Sequence, residues 1–198
     1  MTRQEDTLCG ARIQLRPLER CDAADLLRAA SDGELWQLKV TEVPSADTVT
    51  DYIDKALQGL GDGTVMPFVI MVKASGQIIG TTRFWQISPK HRRLEIGGTW
   101  LAASWQRTFA NTESKYLMLQ HAFEHMQCAR VQLTTDVHNE KSRQAILRLG
   151  ATQEGILRNE RIMPDGRKRD SVIYSILDDE WPAIKQQLAT RLGLTPLP

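Results

Sequence analysis

Long apolar runs are missing from this chain, and so is a large charge of either sign. No stretch approaches the roughly 20 consecutive apolar residues needed to cross a bilayer, so no membrane-spanning helix is expected. The 25 Lys and Arg nearly balance the 24 Asp and Glu, for a net charge of +1. That balance gives no reason to expect a nucleic-acid partner. Cysteine is sparse. Cys9, Cys21 and Cys128 form an odd, unpatterned set, which reads as reduced thiols of a cytoplasmic protein and not as a disulfide frame or zinc cluster. Met1 to Thr7 is polar and lacks the apolar segment of a secretory signal. No Pro/Gly/Ser-rich linker, repeat or low-complexity tract divides the 198 residues. One soluble cytoplasmic domain over 1–198 is therefore expected.

Periodicity supplies the elements. Ile13 to Pro17 alternates as a strand, and Asp22 is placed to cap a helix whose Leu26, Leu27, Ala29 and Ala30 form an apolar stripe. Trp36 to Pro44 is irregular. A second helix opens at Ser45 or Asp47 and reaches Leu60. Pro67 to Lys73 and Ile78 to Gln86 flank the turn Ala74-Ser75-Gly76-Gln77, and His91 to Leu101 follows, which predicts an antiparallel meander. A helix from Thr112 to Met126, a strand from Arg130 to Val137 and a short helix from Ser142 to Leu149 come next, with Gly150 as its stop. Thr152 to Met163 and Lys168 to Ile176 meet at Pro164-Asp165-Gly166. Asp178 is placed to cap a last helix from Asp179 to about Arg191. The expected fold is α/β (α+β): a mixed, mostly antiparallel sheet of about seven strands with helices on both faces. A parallel crossover fits between Leu94 and Val137.

Leu94 to Asn111 carries the chemistry. A strand ending in a polar loop that feeds a helix N-terminus suits an anion, because the first-turn N–H groups lack partners. Leu94-Glu95-Ile96-Gly97, Gln106-Arg107-Thr108, Asn111-Thr112-Glu113 and Asn139-Glu140-Lys141-Ser142 fall in this order. Leu149-Gly150-Ala151, Met163-Pro164-Asp165-Gly166-Arg167 and Asp178-Asp179-Glu180-Trp181-Pro182 complete the series. Together they resemble the GNAT superfamily of acyl-CoA-dependent N-acetyltransferases, in its RimJ/RimL-type branch, from about Leu15 to Leu188.

The resemblance implies a GNAT fold and acetyl transfer from acetyl-CoA to a primary amine, a protein N-terminus or a small molecule, by direct attack in a ternary complex. It implies no metal. Gln106, Arg107, Thr108, Ala110, Asn111 and Thr112 would hold the pyrophosphate. Phe109 and Asn111 stand where the family pattern has small residues; Asn111 tolerates a left-handed backbone, and Phe109 would turn away from the phosphates. Trp100 and Leu101 would offer backbone N–H groups to the developing oxyanion, and Asn139 and Ser142 would line the pantetheine arm. Glu95 is the candidate general base and Ser142 the candidate acid toward the thiolate. Trp36, Tyr52 and Trp85 are candidate acceptor contacts, with Arg161 a weaker one. A homodimer is compatible with the sequence.

Two other readings have residues behind them. A chain with the altered loop could bind acyl-CoA as a sensor without turnover. His121-Ala122-Phe123-Glu124-His125 fits the His-x-x-Glu-His zinc-peptidase pattern. The basic clusters Lys90 to Arg93 and Arg167 to Arg169 sit near turns and read as solvated, or as guides for CoA phosphate or an acidic acceptor.

Overall fold

A computed structural model describes residues 7–194 apart from Asp62 and Pro164. The elements are β1 (Leu8–Cys9), β2 (Ile13–Pro17), α1 (Ala23–Ser31), α2 (Val49–Gln58), β3 (Met66–Val72), β4 (Ile78–Ser88) and β5 (Arg93–Leu101). Then come α3 (Phe109–Gln120), β6 (Arg130–Asp136), α4 (Glu140–Leu147), β7 (Thr152–Ile162), β8 (Lys168–Leu177) and α5 (Trp181–Leu192). The strands form one sheet in the order β1-β2-β3-β4-β5-β6-β8-β7. Only β5 and β6 run parallel, joined by the expected crossover through α3. The sheet has eight strands where about seven are expected; the addition is β1, two residues that are too short to show periodicity.

Alternation sorts the side chains onto two faces. Ile13, Leu15, Phe68, Ile70 and Phe84 pack with Leu117 to Leu119 of α3 and with Trp181 and Leu188 of α5. On the opposite face Val69, Ile78 and Trp100 pack under Leu26, Ala30 and Ile53 of α1 and α2. This second helical layer lies over β3 and β4. The same face of β5, β6 and β8 carries Glu95, Gln132 and Ser175 instead of apolar residues. Burial of the two apolar sets supplies the main drive to fold.

Helix boundaries move where local chemistry outcompetes pattern. Asp22 does not cap α1: its carboxylate accepts from Glu19 N–H at 2.8 Å and pairs with Arg16 at 2.6 Å. The second helix begins at Val49, because Ser45 and Thr48 close a turn ahead of it. α4 begins at Glu140, two residues before the expected start, and α5 begins at Trp181 with Pro182 harmless in its first turn. Beyond α3 the helix widens into a π-helical turn, His121–His125. Gly150 takes φ +97° after α4, as the expected stop requires. Of the last predicted turn, Pro164 lies outside the described residues, while Gly166 takes φ +81°.

Glu113 ties the first strands to α3. Its carboxylate is almost fully buried and accepts from Arg12 N–H at 2.7 Å, Ile13 N–H at 3.0 Å and Arg12 Nε at 3.0 Å. Removing it strands two backbone donors. Glu113→Ala should lower unfolding stability by about 3 kcal/mol or more, and Glu113→Gln by less, as read by urea denaturation.

Candidate active site

β5 and β6 share a ladder only from Arg93 to Ile96 and Arg130 to Leu133. β5 then runs on to Leu101 and β6 to Asp136 with no further pairing between them. The cause lies on the other edge of β5. Thr81 opposes Trp100 while Arg83 opposes Gly97, so Gly98 and Thr99 together face Thr82. The extra residue is a bulge, which bends the strand. Gly98 takes φ +57°, a conformation that favours glycine. A Cβ on Gly97 would lie 2.8 Å from Trp85 Nε1, and one on Gly98 would lie 2.7 Å from Arg83 Nε. The glycine pair therefore permits both the bend and the close seating of two long side chains. The outcome is a wedge between β5 and β6, lined on one side by backbone that no strand uses.

Lys115 sits beneath the bend. It is buried, and Nζ donates to Thr82 Oγ1 at 3.1 Å and Thr99 Oγ1 at 2.5 Å. Burial pushes its pKa down to about 7. Sequence reasoning missed it, although a signal existed: Lys115, Met118, Leu119 and Ala122 follow the i, i+3, i+4, i+7 spacing of a buried stripe.

At the open end of the wedge the loop folds onto itself. Gln106 Nε2 donates to Leu101 O at 3.0 Å. Arg107 takes φ +62° and is exposed. Thr108 is the N-cap of α3: Oγ1 accepts from Ala110 N–H at 3.2 Å and donates to Trp105 O at 2.8 Å. The helix thus opens at Phe109 and not at Thr112. Asn111 is helical, so it does not stand in for a left-handed glycine; Arg107 holds that conformation. Thr112 is the fourth helical residue, where its N–H enters the helix ladder. Phe109 packs under Arg12, 4.0 Å from Cζ to ring centroid, and against Trp105.

Glu95 lies at the vertex, directly across from Trp85 and Gln132. It is 3% exposed, and Oε2 accepts from Gln132 Nε2 at 2.8 Å. Burial is the largest influence and holds its pKa above the usual carboxylate range, with Gln132, Thr134, Trp85 and then Arg161 pulling back without cancelling it. The Trp85 N–H acts on the carboxylate through space and makes no hydrogen bond of normal geometry.

Across the wedge, Asn139 Oδ1 accepts from Ser142 N–H at 3.1 Å and so caps α4. Ser142 is half-buried, and its hydroxyl makes no hydrogen bond among the described residues. Asp136 is buried, accepts from Arg167 Nη2 at 2.5 Å and from His138 N–H at 2.9 Å. Burial alone would raise its pKa; Arg167 and His138 outweigh that and lower it. Arg167 also donates to Lys39 O at 3.2 Å, linking the β7–β8 hairpin to the segment between α1 and α2.

The three predicted acceptor contacts separate. Trp85 faces Glu95. Trp36 lies in a short 3-10 turn, 38% exposed. Tyr52 is tied up: its hydroxyl accepts from Trp100 Nε1 at 3.0 Å and bonds Thr81 Oγ1 at 2.9 Å. The Trp100 side chain belongs to the α1/α2 core and that of Leu101 to the α3 core, so only their backbone faces the wedge. The His-x-x-Glu-His run has its glutamate committed, since Glu124 accepts from Trp181 Nε1 at 2.9 Å and from Lys185 at 2.8 Å. No group of three metal-ligating side chains occurs among the described residues.

Among the described residues the sheet has one parallel pair, which parts beside a helix N-terminus, the arrangement that the resemblance to the GNAT superfamily implies. The family model described as the acetyltransferase (GNAT) domain matches residues 12–152. The chain is 27% identical over 177 residues to the uncharacterized N-acetyltransferase p20 of Bacillus licheniformis, covering 89% of this chain and 98% of that one. A GCN5-related N-acetyltransferase from Brucella melitensis has a similar structure, with a TM-score of 0.85 at 28% identity over 99% of this chain and 88% of that one. RimJ of Mycobacterium smegmatis, solved with CoA-disulfide, shares the fold at a TM-score of 0.78 and 22% identity, over 91% and 89%. The chain belongs to the GNAT acetyltransferase family. It is an acetyl-CoA-dependent acetyltransferase.

Lys115 gives a pH test of the site's foundation. Its pKa is lowered on folding, so between about 7 and the unfolded value of 10.5 the unfolded chain binds the extra proton. Stability should rise with pH across that window, by up to about 1.4 kcal/mol per pH unit. Lys115→Met should flatten the rise, as measured by denaturation at pH 7 and pH 9.5.

Proposed function

We propose that the protein transfers acetyl directly to a primary amine held on the sheet face that carries Glu95, in a ternary complex. Acetyl-CoA supplies an activated thioester, and the chain supplies binding, charge stabilisation and proton transfer. The N–H groups of Phe109 and Asn111 are left open at the start of α3, where the helix dipole favours an anion. With the Arg107 guanidinium beside them, they suit a pyrophosphate. The free backbone edge of β5 past Ile96 suits the pantetheine arm and supplies N–H groups for an oxyanion. Asn139 and Ser142, at the start of α4 beyond the end of β6, would line the arm, and the uncommitted Ser142 hydroxyl would protonate the leaving thiolate.

The observation that carries this reading is Glu95: a buried carboxylate at the wedge vertex that has no ion pair among the described residues and accepts from the Gln132 side-chain amide. Its raised pKa makes it a stronger proton acceptor than an exposed glutamate. It accepts a proton from the acceptor's ammonium, directly or through a water, which frees the amine to attack.

Calorimetric titration with acetyl-CoA should give micromolar-range binding, about −8 kcal/mol. Arg107→Glu should weaken it about tenfold through lost charge pairing. Asn111→Ala should change it little, because the contributing group is backbone. With any competent amine, kcat/KM should fall as pH drops through a pKa above the ordinary glutamate value. Glu95→Gln should cut kcat/KM by about 10²–10⁴ and remove that acidic limb while leaving acetyl-CoA affinity intact. Binding without turnover of any amine would favour a sensor instead. An acidic limb that survives Glu95→Gln would assign the base elsewhere.

A further inference from the structure

Four buried side-chain nitrogens have no hydrogen-bond partner among the described residues: Arg83 Nε, Trp85 Nε1, Arg167 Nη1 and Arg169 Nε. All four are donors, and buried donors are rarely left unpaired. They are not scattered. Arg83 and Trp85 lie on β4 against Gly97 and Gly98, with the Arg83 Cζ 4.8 Å from the Trp85 ring centroid. Arg167 and Arg169 lie at the tip of the β7–β8 hairpin. Although β7 is the far edge of the sheet, Arg161 Cζ comes within 5.8 Å of the same Trp85 ring. The hairpin therefore curls back across the face that carries Glu95, bringing Arg161 and its cross-strand partner Arg169 to the side where Trp85 and Arg83 lie.

Two arginines on this face, Arg83 and Arg169, have no ion pair among the described residues. The acids that act on Arg161, Arg167 and Arg169 are Glu95, Asp136, Asp165 and Glu160. Asp136 is taken by Arg167. Glu160 is taken by Arg161, at 2.7 Å, and by Ser171. Glu95 is held by Gln132. Arg169 is 8% exposed and makes no hydrogen bond or ion pair among the described residues. It is also the direct cross-strand partner of Arg161, an arrangement of like charges that is unfavourable unless something anionic joins it. Arg83 likewise has no carboxylate partner there.

We propose that the acetyl acceptor is an amine that also carries a carboxylate, received by the Arg83, Trp85 and Arg169 donors while the amine lies toward Glu95. This rests on the acetyl-transfer reading above. The Arg83, Trp85 and Arg169 donors would gain an acceptor, and the charge of the two arginines without an ion pair would be offset. A polyamine or polycationic antibiotic would add charge of the wrong sign to the same surface. The carboxylate can belong to a free amino acid or to an acidic residue near a peptide N-terminus, and the two sources are separable.

Wild-type protein saturated with acetyl-CoA would be given, in separate arms, a mixture of common amino acids, the matching amino-acid amides, N-terminal peptides with Asp or Lys at the second position, and spermidine, with CoA release as the readout. The carboxylate form should exceed its neutral or cationic counterpart about tenfold or more in kcat/KM, and the arm that shows the preference identifies the source. That ratio should collapse in Arg169→Met and shrink in Arg83→Met. Spermidine as best acceptor, or a carboxylate preference unchanged in both variants, would overturn the proposal while leaving acetyl transfer intact. Thermal melting of the CoA-saturated protein gives a second readout that needs no turnover. The preferred carboxylate amine should raise Tm in wild type and not in Arg169→Met, and Arg169→Met alone should melt no lower than wild type, since it removes an uncompensated charge. Loss of Tm in that variant without ligand would make Arg169 structural and sink the proposal. Failure of acetyl-CoA to bind would instead sink the acetyl-transfer reading, and the same melts run with carboxylate amines in the absence of CoA would still decide this one.

Discussion

The parting of β5 from β6 after Ile96 and Leu133 is the constraint on which the site depends. A parallel pair normally continues until one strand ends, because unpaired backbone donors and acceptors cost free energy unless water or a ligand meets them. Here the ladder stops while both strands go on. The bulge at Gly98 and Thr99 bends β5, Lys115 secures the bend from below through two threonine hydroxyls, and Trp85 and Arg83 lie in the space that two missing Cβ atoms leave. The consequence is a wedge whose β5 wall is free backbone and whose mouth is the N-terminus of α3. Folding leaves hydrogen-bonding capacity unused at the place where a pantetheine arm and a pyrophosphate would use it.

Three buried acids show how environment assigns role to residues of similar intrinsic chemistry. Glu113 meets two backbone N–H groups and a guanidinium, so its charge is satisfied and its work is to join β2 to α3. Asp136 meets Arg167 and the His138 N–H, which keep it ionised and anchor the hairpin. Glu95 meets the neutral Gln132 amide, with Thr134, Trp85 and Arg161 acting on it more weakly. Its negative charge is the least compensated of the three, and a poorly compensated carboxylate is the one that gains by taking a proton. This difference separates a candidate base from two structural acids.

Periodicity made most of the fold legible. The apolar stripes of α1, α2 and α5, the meander through β5 and the turn at Gly76 all follow from residue spacing and turn chemistry. The strand–loop–helix expected from Leu94 is present as β5, its loop and α3. What escaped was decided by contacts between distant residues. Thr108 caps α3 because its hydroxyl bridges Trp105 O and Ala110 N–H, whereas Asn111 and Thr112 look like equally good caps in sequence. Asp22 is drawn from its helix by Arg16. Glu113 and Lys115 are polar residues on a helix face that becomes buried only when β2 and β4 close over it. The contact between Arg161 and Trp85 depends on how far a terminal hairpin curls across a sheet, which no local pattern encodes.

That curl also explains how a nearly neutral chain acquires a polar, charge-selective face. Helical cover from α1 and α2 stops at β3 and β4, leaving the neighbouring half of the sheet without an apolar layer. An open face would leave Glu95 well hydrated, with an ordinary pKa and weak electrostatic contrast between acceptors. The hairpin, tied to Asp136 and to Lys39 O through Arg167, covers this half with arginines instead of leucines. Water is excluded from Glu95 while donors are brought to its margin. In such a partly desolvated setting, charge–charge and charge–dipole terms are worth more than at an open surface. The same cover that raises the basicity of the carboxylate by excluding water also brings arginine charge that partly offsets the rise.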